Sequence, residues 1–148
     1  ETISFNSYSN STEAKFASKI LTEMLDSDCD AVAITPYKGQ VKEIQKSLPK
    51  KYRDRVRTVD GFQGKEADFI ILSLVRNNVR TGSSRRWGFF RDPRRINVAL
   101  SRAREGLAVV TSVQHIVETD WADDEGHLTL FIDAVRKRGK VVDYLEAW

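Results

Sequence analysis

The sequence predicts an α/β protein built on an open, mostly parallel sheet, three layers deep with helices on both faces. Two observations carry that prediction. The short continuous apolar runs Ala31-Val32-Ala33-Ile34 and Phe69-Ile70-Ile71-Leu72-Ser73-Leu74-Val75 have the composition of strands covered on both faces. Amphipathic stretches alternate with such runs over short connections, which is the pattern of parallel βαβ units. Ligands of such sheets normally approach the carboxyl ends of the strands.

The elements follow in order. Residues 2–8 set Ile3, Phe5 and Ser7 against polar neighbours and read as one strand. Asn10 with Glu13 three residues later reads as a helix-capping box. Ala14, Ala17, Ile20, Leu21, Met24 and Leu25 then recur at helical spacing until Asp26-Ser27-Asp28. Residues 31–34 are the central-strand candidate, ended by Pro36. Residues 40–48 form a second amphipathic helix with Val41, Ile44 and Leu48 on one side, halted by Pro49. A brief strand is expected at 56–59, the strongest strand at 69–75, and a loop at 77–90 with Thr81-Gly82-Ser83-Ser84 at its tip. A helix at 94–104, a buried strand at 107–111, a helix at 128–138 and a last strand at 140–144 complete the pattern.

A length of 148 residues with 41% apolar content suits one domain over 1–148. No apolar run approaches the length that crosses a bilayer, and Glu1-Thr2-Ile3-Ser4-Phe5 lacks the layout of a signal peptide, so no membrane partner is expected. Cys29 is the only cysteine, which excludes an internal disulfide and a thiolate-rich zinc site and is consistent with a reducing, intracellular setting. His115 and His127 have no partners at metal-ligand spacing, and no serine has the flanks of a nucleophile elbow. Asp123-Asp124-Glu125 follows Trp121-Ala122 instead of ending an apolar strand, and so reads as a surface loop. No metal ligand is expected in this chain. The net charge of +3 is modest, but arginines crowd residues 76–104 while acids gather at 118–125. That asymmetry suggests one face for polyanions.

Two strings concentrate the chemistry. In Thr58-Val59-Asp60-Gly61-Phe62-Gln63-Gly64-Lys65-Glu66, the glycines let main-chain N–H groups come close to a ligand. Gln63, Lys65 and Glu66 add a neutral reader, a cation and an anion. The second string is Asp92-Pro93-Arg94-Arg95-Ile96-Asn97-Val98-Ala99-Leu100-Ser101-Arg102-Ala103-Arg104. On a helix, about 100° per residue places Ile96, Leu100 and Ala103 on one face and Arg95 with Arg102 on another. The apolar face is expected to dock and the arginine stripe to protrude.

These strings resemble motifs V and VI of superfamily 1 helicases, in the branch that contains senataxin and the nonsense-mediated-decay helicase. Ser7-Tyr8 with Asn10 and Glu13-Ala14 is similar to the segment that enters the second RecA-like domain there, and Ile34-Thr35-Pro36-Tyr37 with Gln40 is similar to motif IV. The resemblance implies a RecA-like domain of the P-loop NTPase superfamily, the second of the two in such a motor. It implies that Gln63 and Gly64 lie near the terminal phosphate of ATP, that Glu66 lies near the ribose, and that Lys65 and Arg95 also serve the nucleotide. Arg102 matches the arginine finger. Thr35, Pro36 and Tyr37, with Thr58, Val59 and Asp60, match positions along the bound single strand, RNA or DNA. Tyr37 has an alternative as a half-buried ring closing its loop. Arg95 and Arg104 either contact phosphate or pair with Asp68, Glu66 or Asp92.

The chain contains no G-x-x-x-x-G-K-[ST] string. The resemblance therefore implies that ATP and Mg²⁺ are held mainly by an N-terminal RecA-like domain of the same polypeptide, and that this chain alone is inactive. Two other classes stay open: an ATPase-timed clamp or remodeller of nucleic acid, and a non-catalytic interaction module on the same fold.

Overall fold

The structure, a computed structural model, describes residues 2–4, 7–75, 93–114 and 127–143. The chain divides into two compact units, Glu1–Thr111 and Ser112–Trp148. The expected loop at 77–90, Asp92, His115 and the acidic run at 123–125 lie outside the described residues.

The first unit opens with two strands where the alternation pattern predicts one. β1 (Thr2–Ser4) and β2 (Ser7–Ser9) pair antiparallel, with Ile3 opposite Tyr8 and Ser4 opposite Ser7. Alternation of apolar and polar residues alone does not separate two short strands from one. Helix α1 (Ser11–Asp26) follows, then β3 (Ala31–Thr35), α2 (Lys38–Ser47), β4 (Val56–Thr58) and β5 (Ala67–Ser73). Helix α3 (Pro93–Leu100) and β6 (Ala103–Val110) end the unit.

Four strands form one parallel sheet in the order β4-β3-β5-β6. On one face, Ala14, Ala17 and Leu21 of α1 and Ile44 of α2 pack with Ala31, Ala33, Val56 and Ile71 into a single buried cluster. Val32, Ile34, Ile70 and Leu72 alternate with these and are equally buried, so the central strands are covered on both sides. From β3 the chain steps outward to β4 through α2, then back across β3 to β5 and on to β6 through α3. Parallel crossovers are right-handed, so reversing direction puts the later connections on the face opposite α1 and α2. Ile96 and Ala99 of α3 are buried accordingly. The sheet is thus doubly wound, as the alternation predicts.

Two boundaries correct the sequence reading. The helix expected over 94–104 stops at Leu100, and Ser101-Arg102 form a turn into β6, which begins at Ala103 instead of Leu107. Ala103 is already paired with Ala67 of β5, so a neighbouring strand captures residues whose own propensity is indifferent. Arg95 and Arg102 therefore do not form one helical stripe, and Ala103 is not on a helix face with Ile96. In the second unit, helix α4 (His127–Arg138) matches the expected 128–138, with Ile132 buried. No strand forms over 140–143, where Val141 and Val142 are about half exposed, and Tyr144 lies outside the described residues. A pair of valines without a strand beside it has β-propensity and nothing to express it on.

Candidate functional site

At the carboxyl end of the sheet, register brings two of the expected strings together. Thr35 and Thr58 are paired residues, and the Val59 N–H donates to the Thr35 carbonyl at 3.0 Å. Thr35 is fully buried and its Oγ1 makes no hydrogen bond. Pro36 and Tyr37 beside it are half-buried. Tyr37 is the N-cap residue of α2, and its ring meets Tyr8 edge-on, with centroids 5.2 Å apart and planes at 68°. The half-buried ring expected as one alternative for Tyr37 is thus present, next to a second tyrosine that sequence reasoning did not place at the site. The contact depends on Gly39: a Cβ there would lie 2.8 Å from the Tyr8 carbonyl oxygen, and the Gly39 N–H donates to Ser7 Oγ at 2.9 Å.

The loop after β4 has an unusual task. Residues 59–66 must cross β3 and return to the amino end of β5, a drop of about 20 Å at about 3.3 Å per residue. Eight helical residues would reach only about 12 Å at about 1.5 Å per residue, so the crossover is a single 3-10 turn, Asp60–Phe62, and then a second turn in which the Lys65 N–H donates to the Phe62 carbonyl at 3.1 Å. Val59 and Phe62 are buried and pin it. Thr58 Oγ1 accepts from the Gly61 N–H at 3.0 Å, and Gly64 supplies a φ of 74° that a side chain resists. Gln63, Gly64, Lys65 and Glu66 all face solvent. On one exposed, glycine-shaped loop, a neutral amide and an ammonium can donate to phosphate while a carboxylate beside them can accept from a sugar hydroxyl.

Arg102 sits at the amino end of the sheet with that loop. The Ala67 N–H donates to the Arg102 carbonyl at 3.3 Å, which makes Glu66 and Arg102 near neighbours. The Arg102 side chain is half-buried and turns back to donate from Nε to the Val98 carbonyl at 3.2 Å, in the last turn of α3. The other arginines separate from it. Arg95, in the first turn of α3, pairs with Asp60 at 2.5 Å, a partner outside the three expected. Arg104 takes the ion-pair alternative: it binds Asp68 at 2.8 Å and Asp30 at 3.4 Å, and Asp30 also binds Arg55 at 2.8 Å. The expected site residues therefore fall into two groups at opposite ends of one sheet. Thr35, Pro36, Tyr37, Thr58, Val59, Asp60 and Arg95 are at or near one end, Glu66 and Arg102 are at the other, and Gln63 to Lys65 run between them.

A third group escaped the sequence reading. Asn10 caps α1 as expected, accepting from the Thr12 and Glu13 N–H groups at 3.1 and 3.2 Å. Glu13 does not complete the capping box. The Asn10 N–H donates instead to Gln40 Oε1 at 2.7 Å, and Gln40 Nε2 donates to the Asn10 carbonyl and to Ser73 Oγ at 3.1 and 2.9 Å. Ser73 Oγ and the Val75 N–H both donate to Glu13 Oε2 at 2.8 Å. Asn10 Nδ2 donates to Glu13 Oε1 and to the Val75 carbonyl, each at 3.4 Å. Burial pushes the Glu13 carboxyl up to about 7 against the opposing pull of these donors. The one legible signal was Gln40, a polar residue at the start of an amphipathic helix.

Comparison with known proteins identifies the family. The AAA domain family matches residues 1–114. The chain is 43% identical over 115 residues to the "Regulator of nonsense transcripts 1 homolog" of Neurospora crassa, covering 70% of this chain and 10% of that protein. It is 43% identical over 117 residues to the "ATP-dependent helicase upf1" of Schizosaccharomyces pombe, covering 70% and 12%. It is 33% identical over 137 residues to the "Helicase sen1" of the same yeast, covering 76% and 8%. The chain thus spans roughly a tenth of the length of the curated relatives it matches. With its parallel, doubly wound sheet and the paired motif strings, the chain belongs to the AAA domain family and is homologous to the helicase core of superfamily 1 proteins of the Upf1 and Sen1 type.

Proposed function

We propose that this chain is the second RecA-like domain of an ATP-dependent superfamily 1 helicase and that its two sheet ends divide the work. The observation that supports this most strongly is the separation itself. Pro36, Tyr37 and Thr58 gather at the carboxyl end with polar and aromatic groups suited to a sugar-phosphate backbone. Glu66 and Arg102 adjoin at the amino end. One eight-residue loop carries any displacement between the two.

ATP and Mg²⁺ are assigned mainly to a first RecA-like domain of the same polypeptide, with Gln63, Gly64, Lys65, Glu66 and Arg102 as the residues of this chain that meet the nucleotide. Bound there, ATP supplies the phosphoanhydride bond whose hydrolysis drives the cycle. Arg102 stabilises the charge that builds on the transferred phosphoryl group, a role worth roughly 10³ to 10⁵ in rate in phosphoryl-transfer enzymes. The hydrogen bond from Nε to the Val98 carbonyl leaves both terminal amino groups of the guanidinium as donors for that role. Arg95, joined to Asp60, steadies the start of the loop.

The test is ATP turnover by the full-length protein beside this chain alone, with single-stranded RNA and DNA at fixed low salt. Stimulated turnover in the former and none in the latter is the expected result, and the better activator identifies the strand. Turnover by this chain alone, or none by the full-length protein, contradicts the assignment. A clamp that hydrolyses ATP without unwinding is separated from a helicase by strand displacement in the same samples.

A further inference from the structure

The carboxyl end of the sheet holds a residue in a conformation that its side chain opposes. Val75 has φ 72°, in the left-handed region, and is fully buried. A β-branched residue there is a true outlier, and such strain persists only where the surroundings over-determine it. Here Glu13 supplies much of that determination. Its Oε2 takes the Val75 N–H and the Ser73 hydroxyl at 2.8 Å, while Asn10 Nδ2 reaches the Val75 carbonyl. Through Ser73 the carboxylate is tied to Gln40, and Gln40 lies three residues beyond Tyr37 in the first turn of α2.

We propose that Glu13 is a positioning residue for the strand-binding end of the sheet: its buried carboxyl clamps Val75 in the left-handed conformation and ties the end of β5 to the starts of α1 and α2. Every bond in the clamp crosses between elements that meet at that end. Glu13 touches no expected ligand, so it acts through the places where Pro36 and Tyr37 sit and through the direction in which the chain leaves β5. A carboxyl group suits this task because one of its oxygens, Oε2, accepts from a backbone N–H and a hydroxyl at once. The role in strand binding rests on the helicase reading; the clamp itself does not.

The experiment uses full-length protein carrying Glu13→Gln, Ser73→Ala, or Glu13→Gln with Val75→Gly. Two quantities are read: hydrogen exchange at the Val75 amide, and the concentration of single-stranded oligonucleotide that gives half-maximal ATP turnover. In Glu13→Gln the Val75 amide is expected to exchange at least tenfold faster. The half-saturating oligonucleotide concentration rises about fivefold or more, with saturated turnover held within about twofold. Adding Val75→Gly, which accepts the same backbone without a clamp, returns half-saturation at least halfway to the wild-type value. If Glu13→Gln does not fold, Ser73→Ala is read by the same two quantities at a threefold threshold. Unchanged exchange at Val75 overturns the clamp. Faster exchange with unchanged half-saturation, or with lost turnover and unchanged half-saturation, overturns its role in strand binding. Wild-type protein that shows no strand-stimulated turnover counts against the helicase reading and against that role, while the exchange measurement still decides the clamp.

Discussion

At the amino end of the sheet, Asp30, Asp68, Arg55 and Arg104 pair in the open, each side chain between about a third and half exposed. At the carboxyl end, Glu13 is buried with its acidity displaced, Val75 is strained, and Thr35 Oγ1 is buried without a partner. Exposed pairs in water contribute little and tolerate loss, whereas a buried carboxylate and a strained valine are costly and persist only under tight constraint. The difference teaches where rigidity is concentrated. One end uses inexpensive charge to hold strand starts together, and the other spends stability on fixing backbone direction.

The sharpest test of this division is at Arg102, which lies at the tolerant end but faces the proposed nucleotide. Arg102→Ala in the full-length protein is expected to lower ATP turnover about 10³-fold. Strand binding, measured by oligonucleotide anisotropy, should change less than about threefold. Near-normal turnover would remove Arg102 from the mechanism and leave the amino end purely structural.

The next effect concerns pH. Glu13 holds its proton to about pH 7 in the fold, against 4.5 ordinarily. Between those values the folded state keeps a proton that the unfolded chain releases. This contribution to stability is complete below pH 4.5 and is lost as pH rises through 7. The displacement is worth about 3 kcal/mol at 1.36 kcal/mol per unit. Urea titrations at pH 4.5 and pH 8 should therefore show wild type losing about that much more stability than Glu13→Gln across the interval. An equal pH dependence in both proteins would place the buried charge elsewhere.

Close packing at the same end predicts a third effect. Gly39→Ala pushes a Cβ to 2.8 Å from the Tyr8 carbonyl and 3.2 Å from Ser7, so β2 or α2 must shift, at a cost of about 2 kcal/mol. A urea midpoint within error of wild type would show that β2 is held less closely than the contact implies. The smallest effect is expected at the other end. Arg104→Ala breaks only exposed pairs and should cost no more than about 0.5 kcal/mol, shrinking further in high salt. A loss as large as that of Gly39→Ala would erase the contrast between the ends.

Much of this architecture could be read from the chain. The apolar runs at 31–34 and 69–75 located the two central strands, and the spacing of Ala14, Ala17 and Leu21 located the helix that covers them. Local pattern failed where a partner decides. Arg102 and Ala103 continue a helical repeat in sequence, yet Arg102 falls in a turn and pairing with Ala67 makes Ala103 a strand start. The motif strings named candidate residues but not how the fold divides them, because the distance between Thr58 and Glu66 is set by a crossover that runs the length of the sheet in eight residues. Glu13 was read as half of a capping box, a local role, when its partners lie 60 and 62 residues away. Arg95 found Asp60 for the same reason: no spacing rule links residues that topology alone makes neighbours.

The most direct test of the two-ended account is photocrosslinking of a single-stranded oligonucleotide to the full-length protein, with the labelled peptides identified by mass spectrometry. The account predicts labels on residues 36–37 and at Thr58, with none at Glu66 or Arg102. Labels at Glu66 and Arg102, with 36–37 and Thr58 untouched, would place the strand at the wrong end of the sheet and contradict it.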